Sequence, residues 1–189
     1  MPFVSRAGQK LEHALATFGI DVAGCICADL GCSTGGFTDC LLQRGAKKVY
    51  AIDTGYGVLD WKLRNDPRVV VMERTNAMHV TLPEPVDLVT IDVAWTKQRH
   101  ILPAAKRIVR KGGQIVTLLK PHYEAAPAML RKGILMNEHL ESVVAAVRSE
   151  METMGFSVVN MTTSPIKGAK GNTELLVHLK LYKPVMTIP

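Results

Sequence analysis

No apolar run in this 189-residue chain approaches the ~20 residues that a membrane-spanning helix needs, so a bilayer-embedded role is not expected. The opening MPFVSRAGQK lacks the basic-then-apolar layout of a signal peptide, and nothing in it directs the chain out of the cytoplasm. Cysteine is scarce and crowded: Cys25, Cys27, Cys32 and Cys40 form neither a CxxC pair nor a second cluster further on, which a structural zinc site would require. Buried reduced thiols and no metal are therefore expected, with Cys25 and Cys27 on one face of a strand. Internal repeats, low-complexity tracts and a second-domain linker are also missing, so residues 1–189 read as one domain. What is present suits that: 47% apolar residues and a mean hydropathy of +0.11 supply one full-sized core. Acidic side chains number 17 against 23 basic ones, and the net charge of +6 favours a polyanionic partner.

Apolar periodicity switches repeatedly between helical and strand patterns, the mark of an α/β fold with a parallel sheet covered by helices. Helices are expected at 5–18, 35–43, 58–65, 101–109 and 137–154, the last opened by Asn137 as a cap and closed by Gly155. Strands are expected at 25–30, 48–53, 69–73, 86–92 and 114–120. Two further strands, 156–163 and 174–181, are joined by SPIKGAKGN, too short for a helical crossover, so they should pair antiparallel. A seven-stranded, mostly parallel sheet with an antiparallel C-terminal strand is the Rossmann-like layout of class I methyltransferases.

The segment Asp29-Leu-Gly-Cys-Ser-Thr-Gly-Gly-Phe37 leaves the first strand and enters a helix. Gly31, Gly35 and Gly36 at the bend let a ligand lie against the main chain, and Ser33 and Thr34 add hydroxyls. Asp53 ends the second strand, where a carboxylate can accept both hydroxyls of a ribose. The alternative is a purely structural turn with a capping Asp. The P-loop lysine is absent and the spacing is not GxGxxG, so a nucleoside cofactor without phosphates fits better, and S-adenosylmethionine is the one in view. Asn76 is then placed near the adenine, unless it only bonds its own loop backbone. Asp92 and Lys120 end parallel strands, Glu174 begins an antiparallel strand whose start reaches the same edge, and Lys10 on the first helix completes the group.

SRAGQKLEHAL, the GCSTGGFTDC turn and the chain through ERTN, the IDV turn, LLKPHYE and KGNTELL resemble the TlyA family, known as hemolysins and as ribosomal RNA 2′-O-methyltransferases of the FtsJ/RrmJ-like superfamily. The resemblance implies a catalytic Lys-Asp-Lys-Glu tetrad at Lys10, Asp92, Lys120 and Glu174. It also implies an S-adenosylmethionine site at the glycine turn and Asp53, and RNA as substrate. Such proteins usually begin with a small S4-type RNA-binding domain, whereas this chain begins almost directly at SRAGQKL. The family's DVSF and KPQFE read Asp92-Val-Ala-Trp95 and Lys120-Pro-His-Tyr-Glu124 here. Methyl transfer to a small hydroxylated molecule is the alternative these departures favour. A non-catalytic, membrane-active protein is what the hemolysin name would imply. The basic run Lys97, Arg99, His100, Lys106, Arg107, Arg110 and Lys111, to which Arg131, Lys132, Lys167 and Lys170 add more charge, reads either as a solvated helix face or as a phosphate track beside the site. Trp95 and Tyr123 are placed either to stack on a base or to pack in the core.

Overall fold

The computed structural model describes residues 2–182. A seven-stranded sheet runs through them in the order β3-β2-β1-β4-β5-β7-β6, comprising β1 (Ile26–Leu30), β2 (Lys48–Ile52), β3 (Val69–Met72), β4 (Val86–Ile91), β5 (Val109–Leu119), β6 (Phe156–Thr163) and β7 (Leu175–Leu181). The first five are parallel, while β7 pairs antiparallel with both β5 and β6. The expected architecture is therefore the observed one. Strand order reverses at β1, which is flanked by β2 and β4, and this is where open α/β sheets bind ligands.

Both sheet faces are covered, so the strands bury successive side chains alternately in two cores. Ala28, Leu30, Val89 and Ile91 pack with Ile101 and Leu102 of α4 (Gln98–Ile108) and with Val147 and Met151 of α6 (Asn137–Thr153). On the other face Cys27, Val49 and Ala51 meet Leu11 and Leu15 of α1 (Ala7–Phe18) and Phe37 and Leu41 of α2 (Gly36–Gln43). Helix α1 buries the stripe its spacing dictates and ends at Gly19, whose φ of +63° lets Ile20 N–H return to Leu15 O. The remaining helices are the single turns α3 (Trp61–Arg64), capped by Asp60, and α5 (Pro121–Glu124). Cys27, Cys32 and Cys40 are buried free thiols whose pKa values burial pushes up, and Cys25 is half-buried.

Three expectations need correction. Helix α4 begins at Gln98 rather than Ile101, because Glu124 Oε1 accepts the Gln98 N–H at 2.7 Å and so caps it from 26 residues away. Asn137 is not a cap: Met136 occupies that position, and no side chain bonds the helix start. Strand β5 begins at Val109 rather than Gln114, passing through a register shift opposite Val86–Leu88, with Gly112 at φ +80°. A small hairpin pairing Leu130–Arg131 with Ile134–Leu135 had no strand-length signal to announce it.

His178 in β7 is buried against Phe18, the rings stacked with centroids 5.7 Å apart, and its Nε2 lacks a hydrogen-bond partner. Burial, helped by the charge of Lys180, pushes its pKa down to about 4. In the unfolded chain the value is about 6.5, so between those pH values the unfolded state binds more protons than the folded one. Stability from this residue is therefore undiminished above pH ~6.5 and falls as pH drops towards 4, by roughly 2–3 kcal/mol. Denaturant titrations at pH 7 and pH 4.5 should show this loss in the native chain and a shallower one in His178→Leu; equal losses would refute the assignment.

Candidate active site

Sheet register alone brings the polar residues to one edge. Leu30 is aligned with Ile91 and with Ile52, so the next residues out, Gly31, Asp92 and Asp53, emerge side by side. Leu119 is paired with Leu175, so Lys120 and Glu174 continue that ladder at the same edge. Helix α1 then delivers Lys10 from the sheet's flank. Its close approach depends on glycine: a Cβ on Gly36 would lie 2.2 Å from Ser5 Oγ and 2.8 Å from Gly8 N.

These residues form two ion pairs. Lys10 Nζ meets Glu174 Oε2 at 2.5 Å, with side chains 12% and 4% exposed. Lys120 Nζ meets Asp92 Oδ1 at 2.6 Å and donates also to Val93 O at 3.0 Å, with Lys120 14% and Asp92 20% exposed. All four side chains border one cavity of about 410 Å³, whose wall also includes Arg6, His122 and Lys167. A second cavity of about 300 Å³ shares Gly31, Ser33, Asp92 and Ala94 with the first and extends to Asp53, Asn76 and Met78. Together they make a trench with a nucleoside-sized compartment at one end and the two lysine–carboxylate pairs at the other.

In the smaller compartment Asp53 is oriented by the N–H groups of Ser33 (2.9 Å to Oδ2) and Gly55 (2.7 Å to Oδ1). A carboxylate oxygen has two lone pairs, so each retains one for a ribose hydroxyl. Gly31 sits at φ +84°, and a Cβ there would fall 2.6 Å from Asp92 O, which makes this floor open only to glycine. Asn76 lines the compartment too, although its Oδ1 accepts from Met78 N–H and caps a single 3₁₀ turn. This floor, the oriented carboxylate and the absence of a phosphate-binding lysine fit S-adenosylmethionine, with Gly31, Ser33, Thr34, Asp53 and Asn76 as the residues that would hold it.

Asp29, Gly35 and Gly36 do not line either cavity. Asp29 is fully buried, accepts hydrogen bonds from Thr38 Oγ1 (2.7 Å) and Thr90 Oγ1 (3.1 Å), and is pushed up to about 7 by desolvation against the opposing pull of those hydroxyls. It braces the turn from beneath. Gly35, at φ +101°, makes room for Leu59 and Leu63.

Most of the basic run is not a track beside the site. Arg107 donates to Met78 O, Lys106 to Met154 O, Arg110 pairs with Asp87 and Arg99 with Glu150. Helix α4 carries its basic C-terminal turn away from the ligand edge towards the start of β5, so the solvated-face reading holds there. Trp95 is 85% exposed at φ +51°, which removes core packing as its explanation. Its ring lies 6.4 Å from that of Tyr123, tilted by 37°. Among the cavity residues that the sequence did not single out as lining are Arg6, His122 and Gly168. His122 is buried with Nδ1 unpartnered, and desolvation lowers its pKa despite the opposing charge of Glu174. Gly168 lies where a Cβ would be 2.1 Å from Glu174 Oε1.

A Rossmann-like sheet with an oriented carboxylate and two lysine–carboxylate pairs at its ligand edge suits a methyltransferase, and a profile of the FtsJ-like methyltransferase family matches residues 3–181. The chain belongs to that family. It is 44% identical over 182 residues to hemolysin A of Brachyspira hyodysenteriae, covering 93% of this chain and 76% of the relative. It is 43% identical over 185 residues to the 16S/23S rRNA (cytidine-2′-O)-methyltransferase TlyA of Mycobacterium tuberculosis, covering 94% and 68%. A solved structure from Streptococcus thermophilus, provisionally named a hemolysin, superposes with a TM-score of 0.93 at 42% identity, covering 97% of this chain and 68% of that one. This chain thus spans 68–76% of the lengths of these relatives. None of the described helices is long and apolar enough to cross a membrane.

Proposed function

We propose that the chain is an S-adenosylmethionine-dependent methyltransferase acting on a ribose 2′-hydroxyl of ribosomal RNA, and hence working in the cytoplasm. The observation that carries this reading is the pair of lysine–carboxylate contacts, Lys120–Asp92 and Lys10–Glu174, on one cavity beside an oriented ribose acid. The rRNA named for the TlyA relative agrees with it.

When bound, S-adenosylmethionine would supply a sulfonium methyl whose carbon an alcohol oxygen can attack in line, with a neutral thioether as the leaving group. The chain's task is to position that oxygen and manage its proton. Lys120 commits two N–H donors, to Asp92 and to Val93 O. As an ammonium it keeps one further N–H to hold the oxygen and stabilise developing negative charge; as an amine it keeps a lone pair to take the proton. Asp92 fixes its orientation in both cases. As the hydroxyl oxygen takes up the methyl group, its proton would pass to Lys120 or out to solvent. Lys10 and Glu174, nearly buried and mutually neutralised, shape the ribose pocket without adding net charge to it. Trp95 at the rim offers a face on which a base can stack.

Incubation with labelled S-adenosylmethionine and either ribosomal subunits or naked rRNA should place label in RNA. Treatment with alkali should leave a labelled dinucleotide, because a 2′-O-methyl blocks cleavage. Label confined to a base, or found only in a small hydroxylated acceptor, would overturn the reading.

A further inference from the structure

While several cations of the 97–111 run are held on carbonyls and carboxylates away from the ligand edge, a different set close to the cavity has no counter-charge among the described residues; Lys167 and Lys170 bond only neutral groups, Thr173 Oγ1 and Lys132 O. Arg131, Lys132, Lys167 and Lys170 are all exposed, and among the described residues none has a carboxylate within 4 Å. The two segments carrying them, 125–136 and 164–173, contain no acidic residue at all. Lys167 lines the cavity itself.

The backbone around these cations is unusual. Lys132 and Lys170 both adopt left-handed φ, +52° and +57°, each followed by a glycine at +80° and +83°. Such turns favour Asn or Gly at the first position, and a lysine there holds a conformation its Cβ disfavours. The two lysine–glycine turns touch, for Lys170 Nζ donates to Lys132 O at 3.3 Å. Asn172, only 3% exposed, staples them: its Oδ1 accepts from Leu135 N–H at 3.0 Å while its Nδ2 donates to Gly133 O (3.0 Å) and Ala169 O (3.1 Å). Two residues on is Glu174, against which Gly168 packs. The cations are thus mounted on a braced rim whose position is tied to the site.

Resting on the reading of an RNA 2′-hydroxyl as acceptor, we propose that this paired-turn rim grips the sugar–phosphate backbone of the strand whose ribose enters the cavity. Unneutralised point charges at fixed positions suit phosphates and carry no base preference.

The test uses the full chain with Lys132→Glu, Lys167→Glu and Lys170→Glu combined, against a control of equal charge change, Lys47→Glu, Lys111→Glu and Lys180→Glu. The control residues lie at or towards the opposite sheet edge, at the entry to β2, in the turn within β5 and near the end of β7. The rim variant should raise KM for rRNA at least 30-fold at 50 mM salt and reduce the log–log salt slope by about 2, as loss of three single-strand phosphate contacts requires. Its cofactor affinity should stay within threefold, because none of the three lysines lines the Asp53 compartment. A glutamine triple variant, which introduces no repulsion, should show the same salt-slope change and must melt cooperatively like the native chain. A rim variant whose KM and salt slope match the control overturns the rim. A native chain that methylates no RNA instead overturns the activity on which the rim depends, so the two failures read differently.

Discussion

Replacing Lys120 with alanine should reduce methyl transfer by about 10³-fold, the range that a positioned proton-transfer or charge-stabilising side chain supplies. Cofactor affinity should stay within about threefold, because the Asp53 compartment lies at the other end of the trench. The variant leaves Asp92 with no cation beside it, and at 20% exposure that carboxylate can rehydrate, so the fold should survive. Single-turnover rates with rRNA, calorimetric titration of S-adenosylmethionine and a thermal melt separate these quantities. A loss smaller than tenfold in the chemical step would remove Lys120 from its central position. Lys120→Arg should recover little, since a guanidinium cannot serve as amine and its planar fork does not reproduce the Asp92 and Val93 O contacts.

Asp53→Ala should have the complementary effect, weakening S-adenosylmethionine binding by about 30- to 100-fold. That corresponds to roughly 2–3 kcal/mol, as expected for hydrogen bonds to a charged group. The substitution also unbinds Ser33 N–H and Gly55 N–H, so the loop loses its organiser. Asp53→Asn restores one acceptor and should recover part of the affinity. At saturating cofactor the methyl-transfer rate of both variants should return to within a few-fold of native. A titration in which Asp53→Ala binds as tightly as the native chain would show that the ribose hydroxyls are held elsewhere.

Much of this site was legible because its residues stand where strands end. Short apolar runs marked β1, β2 and β4 and alternation marked β6 and β7, and a parallel sheet then obliges Gly31, Asp53 and Asp92 to share an edge. The short SPIKGAKGN link forced an antiparallel turn and so delivered Glu174 beside Lys120. What stayed hidden depended on partners distant in sequence. Glu124 extends α4 to Gln98 by capping it across the fold, and no local pattern encodes that. Asp29, Gly35 and Gly36 share the glycine motif with Gly31, yet the motif cannot say which of its members face a ligand and which accommodate Thr38, Leu63 or Ser5. Charge density alone could not separate the two readings of residues 97–111: the run is rich in cations, but backbone carbonyls and carboxylates from other elements satisfy several of them. The cations without a carboxylate partner come in ones and twos on separate turns, joined by Asn172 and by the Lys170 Nζ–Lys132 O contact.

Strand β7 follows all the other strands in the chain, yet it lies inside the sheet between β5 and β6. During synthesis β5 therefore waits with an open hydrogen-bonding edge, and β6 has nothing to pair with until Leu175–Leu181 leaves the ribosome. Glu174 arrives with that same insertion, so Lys10 has no counter-ion before it. Closure of the sheet and the Lys10–Glu174 contact thus both wait for β7, and a nascent chain stopped short of it is expected to be inert and adhesive.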